Sequence, residues 1–188
     1  MPATITKTVP YFSYPHVFTS REDDFLNIFR DVGRRGAFVL QRDLDAFEQD
    51  LASFLDAPFA IGVANATDGL LISLRAAGLP PGGEVILSSH TMIATAAAVH
   101  FAGGVPIPVE CGPDHLIDPA AAAAAITPRT CVLLPTHLNG RTCDMDALLA
   151  LASKHSLTLI EDAAQALGSR FRSRSAGTFG AASAISFY

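Results

Sequence analysis

Apolar residues along the chain follow two alternating periods. Short apolar runs stand at Phe59 to Val63, Glu84 to Leu87, Val105 to Val109, Cys131 to Leu134, Leu157 to Ile160 and Ala184 to Phe187. They lack sustained polar alternation and are bounded by turn residues, which predicts buried strands. Helix-length segments separate most of them. Asp43 to Leu55 carries Leu44, Phe47, Leu51, Phe54 and Leu55 at helical spacing, and Asp45 with Glu48 resembles a capping box. Asp118 before Pro119 predicts a helix start ahead of the alanine run Ala120 to Ala125, and Asp144 predicts a cap for the helix carrying Met145, Leu148, Leu149 and Leu151. Strands alternating with helices predict an α/β fold, a mostly parallel sheet with helices on both faces. Such sheets bind ligands in the crevice at the carboxyl ends of their strands.

Composition narrows the class. In 188 residues, 49% are hydrophobic and 16% charged, enough apolar surface for one sizeable core. A net charge of -5 gives no basic footprint for nucleic acid. No stretch reads as a membrane span or a secretory signal. Cys111, Cys131 and Cys143 are odd in number and widely spaced, which fits reduced thiols in a cytoplasm. His137 and Cys143 lack the second pair that zinc-like spacing requires, so no metal is expected.

Near the end of the chain the run LTLIEDAAQALGS, Leu157 to Ser169, leads a core strand directly into Glu161 and Asp162. The topology puts Asp162 at the ligand edge, and alternation turns Glu161 to the opposite face as a structural acid. The only lysines, Lys7 and Lys154, lie in no glycine loop, so this is not half of a P-loop nucleotide site. After Phe59 to Val63 the chain reads ANATDGL, which is not a dinucleotide fingerprint. That turn instead runs through the small residues Ala64, Asn65, Ala66 and Thr67 into a helix, whose first free backbone amides, with the Thr67 hydroxyl, could take a phosphate. The plain alternative is that Asn65 or Thr67 caps its own helix. A buried carboxylate without a cation is costly, and a pyridinium nitrogen would supply one. His137 and Asn139 lie near the ligand edge or serve a turn. His90 and His100 flank an apolar helix and are expected to pack.

The segments GVANATDGLLISLRAAGLPPGGEVILSSHTMIATAAAV, ITPRTCVLLPTHLNGRTCDMDALLALASKHSLTLIEDAAQALGS and AGTFGAASAISFY resemble the pyridoxal-phosphate (PLP) sugar aminotransferases of the DegT/DnrJ/EryC1/StrS family, from about Phe25 onward. The resemblance implies the aspartate aminotransferase fold (fold type I), with an N-terminal segment 1–24 and part of a PLP-binding large domain over 25–188. It implies that Asp162 pairs with the pyridine nitrogen, that Gln165 bonds the phenolic oxygen, that Ala66, Thr67 and Ser186 hold the phosphate, and that Met92 lies against the ring. Methionine stands where the family usually has an aromatic, and Ala66 where it has glycine. A helical turn after Asp162 would set Gln165 on the same face. The segment Arg34 to Phe38 resembles one near the substrate, or is a solvated basic turn. The Schiff-base lysine is expected within a few residues beyond Tyr188, since neither Lys7 nor Lys154 should reach the cofactor. The implied activity is transfer of an amino group, from glutamate or glutamine, to a keto group of a nucleotide-linked sugar by a cytoplasmic homodimer. The alternatives are a dehydratase-like relative without that lysine and a non-catalytic binding or scaffold module.

Overall fold

The computed structural model describes residues 10–188, so Lys7 lies outside the described residues. Two compact units divide at Ala46 and Phe47. The first contains helices α1 (Tyr14–Thr19) and α2 (Glu22–Arg35) and the start of α3 (Arg42–Leu55). Helix α2 has Glu22, Asp23 and Asp24 in its first turn and Arg34 and Arg35 in its last, the order the helix dipole favours. Gly36, at φ 62°, closes it. Arg35 bonds Asp31 and Asp43, each at 2.8 Å, so the Arg34 to Phe38 segment begins as an ion-paired helix end. The expected capping box is not formed. Helix α3 starts at Arg42, which leaves Asp45 inside its first turn, and Glu48 accepts from the Gly62 amide at 2.5 Å.

The second unit is built on a five-stranded parallel sheet. Its strands are β1 (Glu84–Ser88), β2 (Val105–Val109), β3 (Thr130–Leu134), β4 (Thr158–Asp162) and, after a small hairpin of β5 (Arg170–Phe171) and β6 (Arg174–Ser175), β7 (Ala182–Ala184). The order is β2-β1-β3-β4-β7, with every neighbour parallel. The chain leaves β1 toward β2 on one side and returns to β3 on the other, so the switch point lies between β1 and β3.

Alternation along each strand separates two cores. Val85, Leu87, Val132, Leu134 and Ile160 join Leu70 and Leu74 of α4 (Ala66–Ala76) and Ala98 and Val99 of α5 (Ile93–Phe101). Ile86, Leu133 and Leu159 face the other way, onto Ala122 of α6 (Pro119–Ala124) and Met145, Leu148 and Ala152 of α7 (Met145–His155). Both aspartate caps form: Asp118 accepts from the Ala120 amide at 2.9 Å and Asp144 from the Ala147 amide at 3.2 Å.

Further expectations need correction. Phe59 to Val63 is not a strand; it pairs with no strand among the described residues, and Phe59 and Ile61 are exposed. The last strand is Ala182–Ala184 rather than Ala184 to Phe187, because pairing stops where β4 stops, at Asp162 opposite Ala184. His90 and His100 do not pack in a core but are exposed, His90 edge-on to His115 and His100 to Phe101.

Candidate functional site

Asp162 ends β4 on the same face as Ile160, and its side chain is 5% exposed. Oδ2 accepts from the Thr95 hydroxyl at 2.7 Å and Oδ1 from the Ala164 amide at 3.2 Å. Its amide donates to the Pro135 carbonyl and its carbonyl accepts from the His137 amide, both at 2.9 Å, which fixes the backbone as well. Among the described residues no cationic side chain pairs with it. A carboxylate buried beside neutral donors alone has its hydrogen bonds but lacks a countercharge.

Glu161, one residue back, faces the opposite core. Both it and His137 are fully buried, with His137 Nε2 at 2.8 Å from Oε2. His137 Nδ1 accepts from the Cys143 amide at 3.2 Å, so the ring is neutral and its proton sits on Nε2, donated to Glu161. The amides of Gly177, Phe179 and Gly180 also donate to Glu161, at 2.8, 2.6 and 2.7 Å. The acid is therefore structural and clasps the loop that enters β7. His137 and Cys143, considered above as metal ligands, are both occupied here: the Cys143 thiol donates to the Thr136 carbonyl at 3.3 Å, and burial pushes it up to about 12.

Asn65 is the N-cap of α4, its Oδ1 accepting from the Asp68 amide at 2.9 Å. The plain capping role is thus real, and it leaves the two preceding amides bare. Those of Ala66 and Thr67 donate to nothing among the described residues. The first turn of α4 lies against the end of β7, where a Cβ on Gly69 would come 3.2 Å from that of Ala184. The first turn of α4 and the end of β7 are thereby side by side. Ser186 lies just past β7, half-buried, accepting from the Tyr188 amide at 3.1 Å. Met92 is the exposed N-cap residue of α5.

No helix follows Asp162; Ala163 to Ala166 form a turn, closed by the Ala166 amide on the Ala163 carbonyl at 3.0 Å. Gln165 is exposed there, and its Oε1 accepts from the Asn139 amide at 2.9 Å. With the oxygen held, its amide nitrogen is the end left to donate. Asn139, at φ 55°, serves the turn and orients Gln165 together. Sequence reasoning missed Thr91, Thr95 and Thr136. The signal was slight, three threonines in the segments following β1 and β3. An uncompensated buried acid and bare helix-start amides, at one edge of the sheet, fit a ligand with a cationic ring nitrogen and a phosphate.

Residues 19–188 match the model of the DegT/DnrJ/EryC1/StrS aminotransferase family. Over 154 residues the chain is 46% identical to a Streptomyces venezuelae dTDP-3-amino-3,4,6-trideoxy-alpha-D-glucose transaminase, covering 81% of this chain and 41% of that protein. It is similar to the crystal structure of S. venezuelae DesV, with TM-score 0.89 and 40% identity over 92% of this chain and 47% of that one. Bacillus subtilis NtdA, solved with bound cofactor PMP, matches with TM-score 0.83 and 37% identity over 89% of this chain and 39% of that one. The chain spans half or less of the length of these proteins.

Proposed function

The chain belongs to the DegT/DnrJ/EryC1/StrS aminotransferase family, and from that premise we propose that it holds pyridoxal phosphate in an enzyme moving an amino group, from glutamate or glutamine, to a keto group of a nucleotide-linked sugar. The observation that carries this reading is Asp162, buried and hydrogen-bonded yet with no cationic side chain beside it among the described residues. Pyridoxal phosphate, when bound, supplies an electron sink for carbanion chemistry.

The chain's own residues do the binding and orienting. Asp162 holds a proton at the ring nitrogen. The Ala66 and Thr67 amides, the Thr67 hydroxyl and Ser186 bind the phosphate. Gln165 donates its side-chain nitrogen to the phenolic oxygen, and Met92 lies against the ring as a polarisable surface. A lysine beyond Tyr188 is the amine nucleophile. Lys154 is unsuited, because it stands in the last turn of α7, which leads into the start of β4, whereas Asp162 is at the strand's end. Residues 25–188 are part of the cofactor domain, and the full protein works as a homodimer in the cytoplasm.

The test is Asp162→Asn in the full-length protein. An asparagine keeps the shape but cannot hold the nitrogen's proton by charge, so turnover of a keto-sugar nucleotide should nearly vanish. Wild-type rates would refute the assignment.

A further inference from the structure

The hydroxyls of three threonines form one unbranched chain ending on Asp162. Thr95 Oγ1 lies 2.7 Å from Oδ2 of the acid, Thr91 Oγ1 2.7 Å from Thr95, and Thr136 Oγ1 3.0 Å from Thr91. Thr95 is fully buried and Thr136 is 5% exposed. The three come from separate places: Thr91 from the turn after β1, Thr95 from the first turn of α5, Thr136 from the end of β3. They thus span the two sides of the sheet's switch point.

The direction of the chain follows from counting protons. An ionised carboxylate only accepts, and each hydroxyl has one proton to donate. Thr95 gives its proton to Asp162, so its oxygen must accept from Thr91. Thr91 has then donated, so its oxygen accepts from Thr136. All three O–H bonds point toward the acid. A helical threonine can turn its hydroxyl onto a carbonyl three or four residues back; Thr95 is turned onto Asp162 instead.

We propose that Thr95, Thr91 and Thr136 are positioning residues, a directed relay that orients the Asp162 carboxylate and keeps it ionised, so that the proton it shares with the cofactor ring stays on nitrogen. This rests on the pyridoxal-phosphate reading above. Aligned hydroxyls polarise one another, and each donor favours the carboxylate over the carboxylic acid. With Thr95 and the Ala164 amide on separate oxygens, the carboxylate cannot rotate freely. Removing the relay strips the carboxylate of its hydroxyl donor and lets the proton pass from the ring to oxygen. Thr91 also precedes Met92 directly, so the relay ties the Met92 turn to the acid.

The experiment uses full-length protein loaded with pyridoxal phosphate labelled with 15N in the ring. Wild type should give a ring-nitrogen chemical shift of the protonated form. Thr95→Val should move it toward the unprotonated form, Thr95→Ser should restore it, and Thr91→Val, which keeps the Thr95 bond, should produce a smaller displacement in the same direction. If Thr95→Val does not fold, Thr91→Val carries the test, and an unmoved shift there overturns the relay. A protonated wild type with an unmoved Thr95→Val overturns the relay alone. A wild type that takes up no cofactor, or holds it unprotonated, overturns the cofactor reading and the relay with it.

Discussion

Glu161 accepts four hydrogen bonds from groups that have no second acceptor among the described residues: the His137 ring and the amides of Gly177, Phe179 and Gly180. Removing the carboxylate leaves these neutral donors buried and unsatisfied, at a combined cost of about 3–5 kcal/mol, roughly 1 kcal/mol or more for each group. Glu161→Ala is expected to lower the urea-unfolding free energy of the full-length protein by that amount; a change under ~1 kcal/mol would contradict the clasp. Cys143 behaves oppositely to a reactive thiol. Burial pushes it up to about 12 from an ordinary 9.0, so at pH 8 it should resist iodoacetamide in the folded protein and label only on unfolding, as read by peptide mass spectrometry. Above pH 9 the unfolded chain sheds this proton while the folded chain keeps it, so the thiol's contribution makes stability fall as pH rises toward 12.

At the scale of elements, the junction of β4 with the loop before β7 is the tightest. A Cβ on Gly180 would come 2.9 Å from the Leu159 carbonyl carbon, and the obstacle is backbone, which cannot swing aside. Gly180→Ala should destabilise by about 1–3 kcal/mol, measured as a lowered urea midpoint. Elements whose ends carry their own chemistry were legible beforehand, as with α6 and α7, set by Asp118 and Asp144. Elements that depend on a neighbour were not. Phe59 to Val63 has strand composition, but a strand exists only by pairing, and it has no paired neighbour among the described residues, which composition does not reveal. The same applies to β7, whose end is fixed by the length of β4.

At the scale of the whole molecule, the alternation of short apolar runs with helices made the parallel sheet readable, and with it the place of Asp162 at the end of a core strand. The strand order was not readable, and the relay depends on it. Thr136 stands 45 residues from Thr91, and Thr95 stands 67 from Asp162. Only the placement of β1 and β3 side by side, with β4 next, brings them into one chain. Threonines in turns are common enough that nothing local marks these three. The bare amides of Ala66 and Thr67 follow from a local pattern, a helix start with small residues. The adjacency of Glu161 and Asp162 in β4 has an evolutionary consequence. One residue inserted into or deleted from that strand would present the wrong acid to each face at once, exchanging the acid that clasps the loop before β7 for the one that meets Thr95. Length variation among descendants of this sequence should therefore collect in the turns between elements, while β4 keeps its count of residues unchanged.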